Sequence, residues 1–190
     1  MVTALPLDEQ LDTAAQLAKR ARIFYEIWWL YEGADTRLQI LPTMNGYPEF
    51  FRFDSHAHFV SMIVHLSALF ENRADTVNLN ALIRAAKTSG VSAEAIDRAN
   101  SLLTQVEGLS QKVAILRNNL FGHRSASLSY ARAFERANVQ PDQLRDLAAA
   151  ALRIVNVLLV SRGRDEQFMH ELSGQHARRM LNDLSTVNAS

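Results

Sequence analysis

Residues Leu102–Ser125 read LLTQVEGLSQKVAILRNNLFGHRS, and their spacing decides what kind of fold this chain builds. Leu102, Val106, Leu109, Val113, Leu116 and Leu120 recur at 4-3-4-3-4 intervals. That is the repeat of one face of an α-helix with about 3.6 residues per turn, so these side chains form a single apolar stripe. Ser92 stands upstream as an N-cap, which predicts the longest helix of the chain. Its far end then gathers Arg117, Asn118, Asn119, His123 and Arg124 around Gly122. A stop signal alone needs far less hydrogen-bonding chemistry.

The same period governs the rest of the chain. Leu17, Ala21, Phe24, Trp28 and Tyr31 mark a helix from about Asp8 to Glu32, with Gly33 as its stop. Residues 33–50 hold two of the four prolines and two of the seven glycines, and read as an ordered loop packed down by Ile40, Leu41, Met44 and Tyr47. A helix over about Phe53–Glu71 buries Phe59, Met62, Ile63, Leu66, Leu69 and Phe70. Asn78 or Asn80 caps a shorter one ending near Ser89-Gly90. Pro141 opens a helix through about Ser161, and Ser173 caps a last one. No segment alternates with period two. The expected class is all-α, a helical bundle of about five to seven helices. At 190 residues one domain is expected over 1–190, with a core bundle over 8–160 and a helical extension over 161–190.

Composition narrows the function classes. The chain has no cysteine, which excludes a disulfide framework and a thiolate zinc site. Twenty basic residues balance 20 acidic ones, so an anion site must be a local patch and not a general coat. The opening MVTALPLDEQLD turns acidic where a secretory leader has its apolar core, and no apolar run is long enough to span a bilayer. A cytoplasmic location without membrane contact is expected.

The helix end carries the chemistry. On a straight helix Arg117 and His123, six residues apart, point roughly 120° away from each other. Gly122 can adopt left-handed or unwound geometry and let His123 swing back. Arginine offers a permanent charged fork for phosphate oxygens, and histidine titrates near neutrality. Together they suit attack of a ribose 2′-hydroxyl on the adjacent phosphodiester, with His123 moving the proton and Arg117 stabilising developing charge. Asn118 can orient the imidazole or hold a phosphate oxygen, and Arg124 extends the anion patch. Such a reaction needs no metal and no cofactor. The same residues also make an ordinary helix C-cap, where cations complement the dipole.

The stretch LRNNLFGHRS resembles the R-x4-6-H motif of HEPN domains (higher eukaryotes and prokaryotes nucleotide-binding), with Arg117, Asn118 and His123 matching in order and spacing. The preceding FFRFDSHAHFVSMIVHLSALFENRADTVNLNALIRAAKTSG resembles the abortive-infection, AbiU-type branch, in which an apolar helix ends in an aromatic-acidic pair, here Phe70-Glu71. The resemblance covers about residues 8–160. It implies an HEPN-type bundle, a homodimer with two motifs facing one groove, and a metal-independent endoribonuclease or RNA-binding role. Arg117, Asn118 and His123 are then the catalytic set, with Asn119 and Arg124 contacting RNA. It further implies a toxin or phage-defence effector with an antitoxin or other protein partner. A non-catalytic helical module that binds a protein or nucleotide through the same groove is the rival, and the neutral charge favours it.

Three other constellations invite weaker readings. His56, His58 and His65 lie on one helix but lack the converging ligands of a zinc site. Phe24, Tyr25, Trp28, Trp29 and Tyr31 can stack bases but suit a core, with Trp29 off the stripe as a dimer-interface candidate. The run Ser161-Arg-Gly-Arg-Asp165 is either a cap and turn or part of an RNA groove.

Overall fold

The computed structural model describes residues 5–122, 130–169 and 172–188, and every described element is helical. The order is α1 (Leu7–Glu32), α2 (Ala34–Gly46), α3 (Pro48–Phe70), α4 (Leu79–Thr88), α5 (Ala93–Gln105), α6 (Glu107–Leu116), a π-helical turn (Arg117–Gly122), α7 (Tyr130–Ala137), α8 (Pro141–Val160) and α9 (Leu172–Asn188). Among the described residues that makes nine α-helices, more than the five to seven expected. No described helix is long and apolar enough to cross a membrane.

Part of the surplus comes from residues 33–50, which are helix and not loop. Pro42, Gly46 and Pro48 look like breakers, yet Pro42 sits inside α2 and Pro48 occupies the first turn of α3, where its missing N–H costs nothing. Tertiary burial overrides the local signal. Ile40 and Met44 pack with Leu30, Tyr31, Phe51 and Leu181, a cluster that joins α1, α2, α3 and α9. The sharp passage from α1 to α2 depends on Gly33. A Cβ there would meet the Trp29 carbonyl oxygen at 2.7 Å and the indole at 2.9 Å, so only glycine fits. The freed carbonyls of α1 find new donors: Thr36 Oγ1 donates to Leu30 O at 2.8 Å and Arg37 Nη1 to Tyr31 O at 3.1 Å.

The long helix expected from Ser92 onward is two helices. Ser92 does cap α5, accepting from Ala95 N at 3.3 Å, but Val106 leaves helical geometry at φ −107°, ψ 4°. The break has a packing reason: α5 lies on α8, whereas α6 lies on α3 and α7, and one straight rod cannot serve both. Along the predicted stripe, Val113 and Leu116 are fully buried while Leu102, Val106 and Leu109 are half-buried. Asn78 is the cap of α4. Its Oδ1 accepts from Ala81 N at 2.9 Å and its amide donates to Arg73 O at 2.7 Å, so a fully buried polar side chain is satisfied.

At the centre α1 runs along α3 and α8. Alanines at 14, 18 and 21 of α1 and at 148 and 151 of α8 are all 0% exposed, and their small side chains let the helix axes approach closely. One core cluster joins α1, α4, α5 and α8 through Leu11, Leu82, Ile96 and Leu158. A second joins Ala21 and Tyr25 of α1, Met62 and Leu66 of α3, Val113 and Leu116 of α6, and Leu144 of α8. This second cluster holds the site below.

Candidate functional site

Leu116, 0% exposed, is the last residue of α6 and is anchored in the second core cluster. Arg117 follows directly, so its backbone is positioned by a packed neighbour. Its N–H still donates to Val113 O and Ala114 O, in the manner of an α-helix. From Arg117 to Gly122 the helix then widens into a π-helical turn packed on α3, α6 and α7. In such a turn each N–H reaches back five residues instead of four, a geometry found mostly as single turns at functional sites. Asn119 Nδ2 takes up the carbonyl four residues back, donating to Ile115 O at 2.7 Å. The departure from regular helix thus begins at Arg117, five residues before the glycine that the sequence singles out, and Gly122 is its last residue.

Arg117 is half-exposed, and its Nη1 donates to Asn118 Oδ1 at 3.1 Å. Among the described residues no carboxylate lies within ion-pair distance of it, whereas Arg22, Arg37, Arg52, Arg73, Arg145, Arg162 and Arg164 all face one. A guanidinium with four N–H groups unused among the described residues, beside an exposed amide, is a ready receptor for an oxyanion. Among the described residues the second amide N–H and the side-chain oxygen of Asn119 stay unused after the bond to Ile115. His123 and Arg124 lie outside the described residues.

The AbiU2 family model of HEPN domains matches residues 5–180. The chain belongs to the AbiU2 HEPN family. No curated protein and no solved structure matches it. The AbiU2 match extends the resemblance seen over 8–160 into α9, and the all-helical architecture agrees with that family.

The other residues that the sequence singles out in this AbiU2 chain make contacts within the bundle. His58 Nδ1 donates to Asp54 O at 2.8 Å and His65 Nδ1 to Ser61 O at 2.7 Å, with Phe24 between the two rings at centroid distances of 5.7 and 5.2 Å. Among the described residues no group of three metal-ligating side chains converges. The Ser161–Asp165 run is a turn, closed by Gly163 at φ 72°. Arg162 forks onto the Asp8 carboxylate at 2.8 and 3.0 Å, and Arg164 reaches Asp12 at 2.7 Å. The hydrogen bond from Arg162 is the main cause that lowers the Asp8 pKa. These two guanidiniums tie the α8 exit to α1. Trp29 is half-buried, stacked on Tyr25 at 6.3 Å and covering Gly33.

Tyr31 is the most perturbed acid of the described chain. Burial raises its pKa first, and its hydrogen bond to Asp54 raises it further, from an ordinary 10.0. A raised folded-state pKa gives stability that is fully present below the unfolded value and lost as pH rises through the folded one. The melting temperature should therefore fall as pH climbs above about 10. In Tyr31→Phe that part of the fall should shrink, since the group that ionises on unfolding is gone. Parallel pH–melting curves for both proteins check this, and identical alkaline slopes would contradict it.

Proposed function

We propose that this AbiU2 HEPN protein acts on RNA as a metal-independent endoribonuclease, with the sites of two copies facing a common groove. The observation that carries the reading is Arg117: a guanidinium held by a buried neighbour, paired with Asn118, and with no carboxylate partner among the described residues. A cap serving only the helix would gain nothing from a widened turn that starts at the arginine. In the reaction His123 takes the proton from a ribose 2′-hydroxyl, whose oxygen bonds to the adjacent phosphorus. The 5′-oxygen leaves and receives a proton from the second copy's His123 in its protonated form. The products are a 2′,3′-cyclic phosphate and a 5′-hydroxyl. Arg117 binds the phosphate and stabilises the charge on its oxygens, Asn118 positions both, and Asn119 and Arg124 hold flanking phosphates. Abortive infection or toxin action is the setting that the family suggests.

The test is cleavage of RNA in EDTA by the wild type and by His123→Ala, with the product ends identified. Wild-type cutting with cyclic phosphate ends, and a loss of about 100- to 10,000-fold in the variant, are expected. Activity that needs metal, or a variant as active as wild type, would remove the mechanism. Intact RNA throughout, with loss of partner binding in the motif variants, would instead favour a non-catalytic module.

A further inference from the structure

Between α1, α3 and α7 lies a cavity of about 480 Å³ that no step above uses. It opens between α3 and α7, two of the three helices that the π-helical turn packs against. Its walls are aromatic: Trp28 and Phe59 have ring centroids 5.1 Å apart, and Phe59 and Phe134 are stacked at 5.7 Å. Phe53, 63% exposed, stands at its rim, where an apolar ring gains nothing from water. A volume of this size lies within the range of about 300–1,000 Å³ for small-molecule sites. Flat walls of this kind favour a flat ligand.

One wall is polar, lined by Glu32, Arg52, Ser55 and His56, and the Glu32 carboxylate is held in place from two sides. Oε1 accepts from Ser55 Oγ at 2.8 Å and Oε2 from Arg37 Nη1 at 2.5 Å. An ionised carboxylate has about four lone-pair positions. Each oxygen of Glu32 accepts one of these bonds and has capacity for one more. The complement is a planar group with two adjacent N–H donors. Of the four RNA bases only guanine offers that, with N1–H beside the N2 amino group. Adenine sets its N1 acceptor against the carboxylate, cytosine its N3, and uracil flanks a single N–H with two carbonyl oxygens.

We propose that this cavity is a guanine pocket: the aromatic walls stack the base and Glu32 accepts from its Watson–Crick edge. The assignment rests on the RNA-acting reading, and it makes a guanine in the strand the determinant of where that strand is cut.

Trp28 in the wall supplies the readout. Tryptophan fluorescence is titrated with GMP, IMP, AMP, CMP and UMP, using the full chain and the variants Glu32→Gln and Phe53→Ala. GMP should quench and saturate, IMP should bind more weakly for lack of the N2 amino group, and the other three should not saturate. Glu32→Gln should weaken GMP by about tenfold and erase its preference over AMP. Phe53→Ala, at an exposed position that folding does not depend on, should weaken GMP by about tenfold through lost stacking. Equal quenching by all five nucleotides, or unchanged GMP binding in Glu32→Gln, overturns the proposal. A guanine-containing oligoribonucleotide that displaces GMP, where a guanine-free one does not, identifies RNA as the source of the base. GMP binding without such displacement keeps guanine recognition but makes the ligand a free nucleotide. Cleavage separates the two readings. RNA cut by the wild type and by Glu32→Gln at the same sites refutes the pocket and leaves the nuclease, whereas GMP binding without any cleavage refutes the nuclease and leaves the pocket.

Discussion

Arg117→Ala lowers the rate of RNA cleavage by about 100- to 1,000-fold, the cost of removing one preorganised charge donor from a phosphate-transfer site. The melting temperature should stay within about 2 °C of wild type, because the side chain is half-exposed and its one hydrogen bond goes to a neighbouring exposed amide. Arg117→Lys keeps the charge but not the planar fork, so it should recover only part of the loss. The pattern discriminates between roles. If Arg117 served mainly as a helix cap, Ala would lower stability and Lys would restore function fully. Single-turnover cleavage rates with thermal melts of the three proteins decide the matter. An Ala variant that cuts at the wild-type rate would end the phosphate role of this residue.

Leu116→Ala should cost about 2–5 kcal/mol of stability, as expected for truncating a fully buried leucine. That is a large fraction of the total for a domain whose stability is about 5–15 kcal/mol. Leu116 also precedes Arg117 directly and packs with Val113, Met62 and Leu144. A cavity at this point loosens the end of α6 from which the π-helical turn departs. Cleavage should therefore fall even at temperatures where the variant is folded, because small misplacements of a charge donor weaken its hold on the transition state. Urea unfolding measures the first effect, and cleavage well below the melting temperature measures the second. A stability loss under about 1 kcal/mol would mean that the α3–α6–α8 cluster is not packed as described.

The helical class was legible because the signal is periodic and redundant. Leu102 to Leu120 keep their spacing over nineteen residues, and Asn78, Ser92 and Pro141 stand at helix starts as their side-chain chemistry predicts. The sequence also singles out Arg117 and Asn118, because an arginine and two asparagines at the end of an apolar stripe have little to do in a core. What could not be read is where neighbouring helices change partners. Val106 carries no breaking signal, since it continues the stripe, and the break there follows from α5 and α6 packing on different helices. Residues 33–50 mislead in the opposite sense. Their prolines and glycines predict a loop, and only contact with Leu181, more than a hundred residues away, explains why Ile40 and Met44 fold as helix.

The pocket beside Glu32 shows the same division. Trp28 and Phe59 belong to stripes that any reading assigns to the core, and Glu32 is one acidic residue at a helix end. Nothing in their order indicates that Phe134 joins them in lining a cavity, because that depends on α7, held by α6 and the π-helical turn, setting Phe134 against Phe59.

The amino-acid order alone determined that this chain is helical and that helices start at Asn78, Ser92 and Pro141, whereas Ser173, expected to cap the last helix, lies inside α9. Those properties are local: period, capping and side-chain chemistry act within one or two turns. The tertiary structure decided the number of helices, the widened turn that starts at Arg117 and the cavity that Glu32 lines. These depend on which surfaces are buried against each other, and burial is set by the whole chain at once.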